Sequence, residues 1–104
     1  LSNILDNLYP DDTATVLRHS ARILKPGGRA IVKLNPFLTP EQIERWNITV
    51  IEGDLLNDGL LLWNRTTEQW REMLLEYFSV ERYEEIDYAE YEQTNRLFLL
   101  TKAE

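Results

Sequence analysis

The sequence of 104 residues contains no cysteine, a single histidine and a single methionine. Without cysteine, the chain can form no disulfide, no thiolate metal site and no cysteine nucleophile. Its apolar runs are far shorter than a membrane span, and no signal-peptide pattern opens it. We therefore expect a cytoplasmic protein with no membrane partner.

Basic residues are also fewer than acidic residues in this sequence. The chain has 11 Lys and Arg residues against 18 Asp and Glu residues, a formal net charge of −7. Proteins gain most of their non-specific affinity for nucleic acid when Lys and Arg displace counterions from phosphates. Nucleic acid is therefore not an expected partner.

The length indicates one domain or part of one. Hydrophobic residues make up 43% of the chain and charged residues 28%, which is ordinary for a globular protein. Because the sequence starts at Leu1 and its only methionine is Met73, we expect a fragment or processed piece. We interpret residues 1–104 as a single partial domain.

The most informative stretch is residues 24–34 (LKPGGRAIVKL). Apolar residues before it have helical spacing and predict a helix over about residues 13–24, with Asp11 or Asp12 as its cap. Lysine, proline and two glycines at residues 25–28 then end that helix. The apolar run at 30–34 predicts a buried strand covered on both faces, which favours an α/β sheet.

Two capping-box signatures, TPEQ at 39–42 and TTEQ at 66–69, predict the starts of two further helices. Residues 36–65 form an irregular insert between the buried strand and the last helix. Within it, the β-prone run 48–51 and the apolar run 60–63 predict a hairpin-like excursion.

The last helix has an apolar face that consists of Trp70, Met73, Leu74, Tyr77 and Phe78. After it, residues 79–88 predict an edge strand with many charges, and residues 96–101 predict a buried strand. Because the link between these two strands is short and polar, they should pair antiparallel.

This order of elements resembles the C-terminal half of a class I S-adenosylmethionine-dependent methyltransferase. The residues that carry the resemblance are 22–29 (RILKPGGR) and the strand that follows them. Residues 3–8 (NILDNL) look like the segment after the fourth strand of that family, and 67–78 and 96–102 look like its last helix and strand. The resemblance implies a Rossmann-like α/β sheet built as helix, strand, insert and helix, then a closing antiparallel pair.

The resemblance also implies a function, the acceptor-side portion of a methyltransferase that positions a small molecule for in-line methyl transfer. The cofactor would be S-adenosylmethionine, with Asn3 and Leu5 bordering its methionine part, and Trp63 and Asn64 would shape the acceptor pocket. The family's main glycine-rich cofactor loop and its acidic partner have no counterpart in this sequence, so we expect the isolated chain to be inactive. Many small-molecule members have histidine where Asn7 stands, so no catalytic base is assigned.

A second hypothesis is a non-catalytic α/β interaction module. A half-sheet that ends at its first buried strand leaves an open edge, which invites association. Such a chain would self-associate, and a homodimer is the simplest form.

Other chemical signals are weaker than their structural interpretations. His19 is expected to be a solvated or capping residue. Acidic residues at 84–92 look like a solvated edge, and no metal site is assigned. The glycine pair at 27–28 follows a helix and precedes a strand, the reverse of a phosphate loop, so it is interpreted as a turn. Trp46 and Trp63 lie in irregular stretches, where an indole ring can either pack in the core or line a pocket.

Overall fold

The computed structural model describes residues 5–88 and 93–102. This part of the chain is mixed α/β, with three α-helices and two small antiparallel sheets. It begins with a short 3₁₀ helix, Leu5–Asn7. The helices and strands that follow are α1 (Pro10–Ile23), β1 (Arg29–Leu34), α2 (Pro40–Arg45), β2 (Thr49–Glu52), β3 (Leu55–Asn57), β4 (Leu61–Trp63), α3 (Thr67–Leu75), β5 (Ser79–Tyr88) and β6 (Gln93–Thr101).

Helix α1 begins three residues earlier than its apolar pattern predicts. Its N-cap is Tyr9, which makes no side-chain cap, so the expectation that Asp11 or Asp12 caps the helix is wrong. Pro10 explains the early start, because proline suits the first helical position and needs no N–H partner there. The two aspartates lie in the first turn, where the helix dipole favours negative charge.

The predicted turn after α1 is confirmed. Gly27 has a φ of 76°, a backbone conformation that glycine adopts without strain. A Cβ at Gly28 would lie 2.7 Å from the carbonyl oxygen of Lys25, so the close backbone approach there also needs glycine. The N–H of Gly27 donates to the carbonyl of Lys102 at 3.0 Å, which ties the turn to the residue after β6.

The first sheet has the order β1–β6–β5, and both pairings are antiparallel. The predicted antiparallel pairing of the last two strands is therefore confirmed. The expectation that β1 is covered on both faces is wrong: Val32 and Leu34 are buried, whereas Ile31 is 49% exposed. Among the described residues, helices α1 and α3 cover only the face of β1 that carries Val32 and Leu34, and Ile31 lies on the opposite face.

The main core lies between this sheet and the helices α1 and α3. The apolar residues predicted for the face of α3 pack on this core, with Met73 and Tyr77 partly buried at its margin. The helix ends at Leu75, however, so Tyr77 and Phe78 follow α3 instead of lying on its face. The buried members of the core are Leu5, Leu17, Val32, Leu34, Trp70, Leu74, Phe78, Phe98 and Leu100. Both predicted capping boxes are confirmed, at Thr39 with Gln42 and at Thr66 with Gln69.

The insert forms the second sheet, in the order β2–β3–β4. Both apolar runs are strands, but the expectation that they pair with each other is wrong. Strand β3 lies between them and pairs with each, because Leu55 and Leu56 are themselves buried and the polar residues around them form two turns. A small core of Leu38, Leu56 and Leu62 lies under this sheet.

None of the helices in the described ranges is long and apolar enough to cross a membrane.

Candidate functional site

The carboxyl end of β1 lies beside the 3₁₀ helix, and a buried aspartate joins the two. The backbone N–H of Asn35, the residue after β1, donates to Oδ2 of Asp6 at 2.8 Å. The Asn35 side chain donates from Nδ2 to Oδ1 of Asp6 at 3.1 Å. Both carboxylate oxygens are thereby held, which compensates for the complete burial of Asp6.

Arg96 holds the same strand end from the other side. It is only 3% exposed. Its Nε and Nη2 donate to the carbonyl oxygen of Asn35 at 3.1 and 2.7 Å, and its Nη1 donates to the carbonyl of Arg65 at 2.9 Å. Because its donors are directed at protein carbonyls, this guanidinium is a structural cation rather than a free anion site.

Asp6 and Arg96 are both buried, and the charge of each affects the pKa of the other. Burial raises the pKa of the Asp6 carboxyl above its usual 3.8, while hydrogen bonds from Asn35 and the charge of Arg96 oppose that rise. Burial lowers the pKa of Arg96, and the charge of Asp6 opposes this change. Beneath the end of β1, the opposite charges of Asp6 and Arg96 therefore stabilise each other against the cost of burial.

A chain of side-chain amides continues from Asp6 toward the second sheet. Asn35 Nδ2 also donates to Oδ1 of Asn7 at 3.4 Å, and Asn7 Nδ2 donates to the carbonyl oxygen of Leu61 at 2.8 Å. Both ends of this chain are pure acceptors, a carboxylate and a backbone carbonyl. The orientation of each amide is therefore fixed, with NH₂ toward the acceptor at its end.

A cavity of about 190 Å³ opens beside this chain, between the two sheets. It is smaller than the roughly 300–1,000 Å³ of typical small-molecule sites but larger than the roughly 150 Å³ cavity that holds benzene in another protein. It can therefore accommodate one ring-sized group. Its lining residues are Asn7, Asn35, Pro36, Leu38, Asp58, Leu60, Leu62 and Asn95.

Of the sequence-predicted site residues, the three that the structure describes, Leu5, Trp63 and Asn64, are not in the lining of this cavity. Asn3 lies outside the described residues. The side chain of Leu5 is buried in the main core, and its carbonyl accepts from Oγ1 of Thr13 at 2.6 Å. Both roles predicted on the cofactor side stay predictions.

Trp63 and Asn64, predicted on the acceptor side, are engaged in internal contacts. The Trp63 ring packs edge-on against Trp70 with centroids 5.3 Å apart, and its Nε1 donates to Oδ1 of Asp54 at 3.0 Å. Asn64 is 7% exposed, and its amide both accepts from the N–H of Leu38 and donates to its carbonyl, each at 2.9 Å. Asn64 thus fixes the position of Leu38, which lines the cavity.

Sequence reasoning missed three of the residues that build the site, Asp6, Asn35 and Arg96, and it named Asn7 only as the position where many members of the family have histidine. One signal could have found Arg96, which has the same parity in β6 as the buried Phe98 and Leu100 and must therefore face inward. Asn35 directly follows an apolar strand, a position where polar side chains often serve a site. Nothing local in the sequence indicates that Asp6 is buried.

Other polar candidates show no arrangement for chemistry. His19 is exposed, with its Nδ1 3.2 Å from Nη2 of Arg22. Trp46 is partly exposed and lies under the guanidinium of Arg45, 5.3 Å from the ring centroid. No group of three metal-ligating side chains occurs within residues 5–88 and 93–102. Glu90 and Glu92, predicted to lie on a solvated acidic edge, fall outside the described residues.

Comparison with known proteins gives no relative from which to transfer a function: no family model matches the chain, and no curated protein matches its sequence.

Proposed function

We propose that this chain is the acceptor-side portion of an S-adenosylmethionine-dependent methyltransferase that acts on a small molecule. Its sheet β1–β6–β5 would be the closing part of a Rossmann-like methyltransferase sheet in a cytoplasmic enzyme. The glycine-rich loop and the acidic residue that grip the cofactor in this family would come from an upstream segment. The isolated 104-residue chain would then be inactive.

The observation that carries this proposal is the placement of residues 5–7 beside the end of β1. The resemblance assigns this segment to the position after the fourth strand, and Asp6 and Asn35 hold it against the carboxyl end of the next strand. Ligands in open α/β sheets bind beyond the carboxyl ends of neighbouring strands. The cavity lies at this end of β1, with Asn7 and Asn35 in its lining.

The free side of β1 also supports the proposal. Among the described residues, β1 pairs only with β6, so its other edge is open to a further strand. Ile31 is half exposed on this strand. A larger sheet would use that edge for a further strand, and an element packed on its outer face would cover Ile31.

The proposed chemistry needs little from the protein beyond positioning. The cofactor carries a reactive sulfonium methyl group, and orientation of the acceptor supplies much of the rate. The cavity would hold the acceptor, while Asn64 fixes Leu38 in its wall. Trp63 and Asn64 would therefore act by shaping the acceptor pocket, and Asn3 and Leu5 would lie on the cofactor side.

Two measurements test this function. Calorimetric titration of S-adenosylmethionine into the 104-residue chain should show no micromolar binding, because the main cofactor loop is missing; micromolar binding would overturn that part of the proposal. The coding sequence upstream of Leu1 gives the stronger test. It should encode a strand, a glycine-rich loop and an acid that closes the next strand, and without them the methyltransferase assignment fails.

A non-catalytic module that self-associates is the second candidate, favoured by the open β1 edge and by Ile23, which is 76% exposed. It ranks lower because symmetric antiparallel pairing about Ile31 would place Arg29 opposite Lys33 of the second copy. Like charges directly opposed across strands are destabilising. Sedimentation over a range of concentrations separates the candidates, since a folded chain that stays monomeric excludes self-association.

A further inference from the structure

We propose that the cavity at the end of β1 binds a ligand that donates hydrogen bonds, and specifically an amine carried on a group about the size of a benzene ring. As a statement about the methyl acceptor, this deepens the proposed function and rests on it. As a statement about what the cavity binds, it stands on the hydrogen-bond inventory of the lining residues.

The fixed orientation of the amide chain leaves the Asn35 side chain with an acceptor and with no uncommitted donor. Both hydrogens of Asn35 Nδ2 are committed, to Oδ1 of Asp6 and to Oδ1 of Asn7. Its Oδ1 has no partner among the described residues. Asn7 donates one of its two Nδ2 hydrogens to the carbonyl oxygen of Leu61. Asn35 can therefore offer a ligand only its oxygen.

The charges around the cavity favour a cation. Among the described residues, no lysine or arginine lines it, and its only ionisable lining group is the carboxylate of Asp58. Arg96, the buried cation of the site, is not part of this lining, and its donors are directed at the carbonyls of Asn35 and Arg65 and at the hydroxyl of Thr67. A carboxylate or phosphate ligand would thus meet the negative charge of Asp58 and the Asn35 oxygen, with the amide hydrogens of Asn7 and Asn95 as its donors among the lining side chains.

The remaining walls suit a compact apolar body. Pro36, Leu38, Leu60 and Leu62 line the cavity together with the amides. With about 190 Å³ available, the space exceeds the roughly 150 Å³ that accommodates benzene. An aryl or branched alkyl amine therefore fits both the volume and the polarity.

Methyl transfer to such a ligand would take place at nitrogen. The bound ammonium would first lose one proton to water, and the lone pair of the resulting neutral amine would then form the new N–C bond as the C–S bond of the sulfonium breaks. The electron pair of that bond would pass to sulfur and leave a neutral thioether, and the methylated ammonium would release one proton to water.

The test uses three probes that share a ring and differ in one group: benzylamine, benzyl alcohol and benzoate. Each is titrated into the ¹⁵N-labelled chain while NMR follows the side-chain amides of Asn7, Asn35 and Asn95. Benzylamine should shift these signals most, benzyl alcohol less, and benzoate not at all. The proposal is overturned if benzoate binds as well as benzylamine, or if benzylamine shifts only signals away from the cavity.

Asp58→Asn should weaken benzylamine binding about two- to fivefold, as expected for an exposed ion pair, and leave benzyl alcohol binding unchanged. Asp58 is exposed and its carboxylate has no hydrogen-bond partner among the described residues, so the variant should fold. Asp12→Asn, on the exposed side of α1, changes the net charge equally and should have no effect. Equal weakening by both variants would contradict a direct role for Asp58.

The result separates this inference from the proposed function. If benzylamine binds in the cavity but a longer chain transfers no methyl group, the ligand class is supported and the proposed methyltransferase function is rejected. If a longer chain methylates alcohols but never amines, the methyltransferase function is supported and the amine ligand class is rejected.

Discussion

The two sheets of this protein are stabilised in different ways. Within the part of the chain that the structure describes, the sheet β1–β6–β5 packs on a continuous apolar core of nine buried residues, whereas the cluster under β2–β3–β4 has three buried leucines. The second sheet is instead attached by polar side chains that bond to backbone groups, such as Asn7 to Leu61 and Asn64 to Leu38. Apolar packing gives the first sheet its stability, and hydrogen bonds give the second its position.

The difference matters because the cavity lies where the two sheets meet. Asn35 and Asn95 come from the first sheet side, and Leu60 and Leu62 from the second. A ligand site built this way has one firm wall and one wall whose position depends on a few amides. Changes in the second sheet should therefore alter binding before they unfold the chain.

Matched leucine truncations give the largest expected contrast between the two regions. Leu100→Ala in the main core should lower the free energy of unfolding by about 4 kcal/mol, because the surrounding side chains cannot collapse into the space. Leu56→Ala should cost about 2 kcal/mol, since its small cluster can relax. Urea denaturation measures both. Equal costs would mean that the second sheet is as tightly packed as the first.

Removal of the buried arginine should be the next largest effect. Arg96→Met should cost about 3 kcal/mol, because it leaves Asp6 charged and buried and strips the donors from the Asn35 carbonyl. Arg82→Met is the control, since Arg82 is largely exposed beside Glu84 and its loss should change stability by no more than about 0.5 kcal/mol. Similar results for both variants would contradict the central role of Arg96.

Loss of the amide that positions the second sheet should have a moderate and local effect. Asn64→Ala leaves both backbone groups of Leu38 without their partner, which should cost about 2 kcal/mol. Hydrogen exchange at the Leu38 amide should rise more than exchange in β6. Asn57→Ala, which removes only an exposed bond to the N–H of Gly59, should leave exchange at Leu38 unchanged.

The smallest expected effect is the pH dependence of the free energy of unfolding that comes from Asp6, which lies against the sheet β1–β6–β5. Because burial raises the folded-state pKa of Asp6, the folded chain binds more protons than the unfolded chain between the usual 3.8 and that raised value. Stability from this group therefore increases as pH falls through the folded-state pKa toward 3.8, and is lost as pH rises.

Comparison with Asp6→Asn isolates that effect. The free energy of unfolding of the unmodified chain minus that of the variant should grow as pH falls through this window, measured by urea denaturation at several pH values. A difference that shrinks on acidification would show that the hydrogen bonds of the carboxylate outweigh its burial. Asp12→Asn is the matched control for the loss of one carboxylate.

Much of the secondary structure could be predicted because its signals are local. The capping boxes at Thr39 and Thr66 lie within four residues of the groups that they satisfy. Glycine at position 27 predicts the turn, because glycine adopts the positive φ found there without strain. The short link after β5 predicts the antiparallel pairing of the last two strands. Strand β3 was missed because it has three residues, and burial rather than sequence pattern identifies it.

The candidate site could not be predicted in the same way. Its contacts join residues far apart in the chain, such as Asp6 with Asn35 across 29 positions and Arg96 with Asn35 across 61. A polar residue has the same sequence signature whether it is solvated or buried with a partner. Trp63 and Asn64, predicted to shape the acceptor pocket, make contacts with Asp54 and Leu38 that no local pattern indicates, and their role stays a prediction.

The sequence by itself determined the helices, the glycine turn after α1 and the closing strand pair, because each depends on periodicity or on turn chemistry within a few residues. Only the tertiary structure decided that Asp6, Asn35 and Arg96 meet beneath the end of β1 and that a cavity opens beside them. The physical reason is that burial and hydrogen-bond partnership are properties of the packed chain. The turn delivers β1 to the sheet, and the site forms where that strand ends.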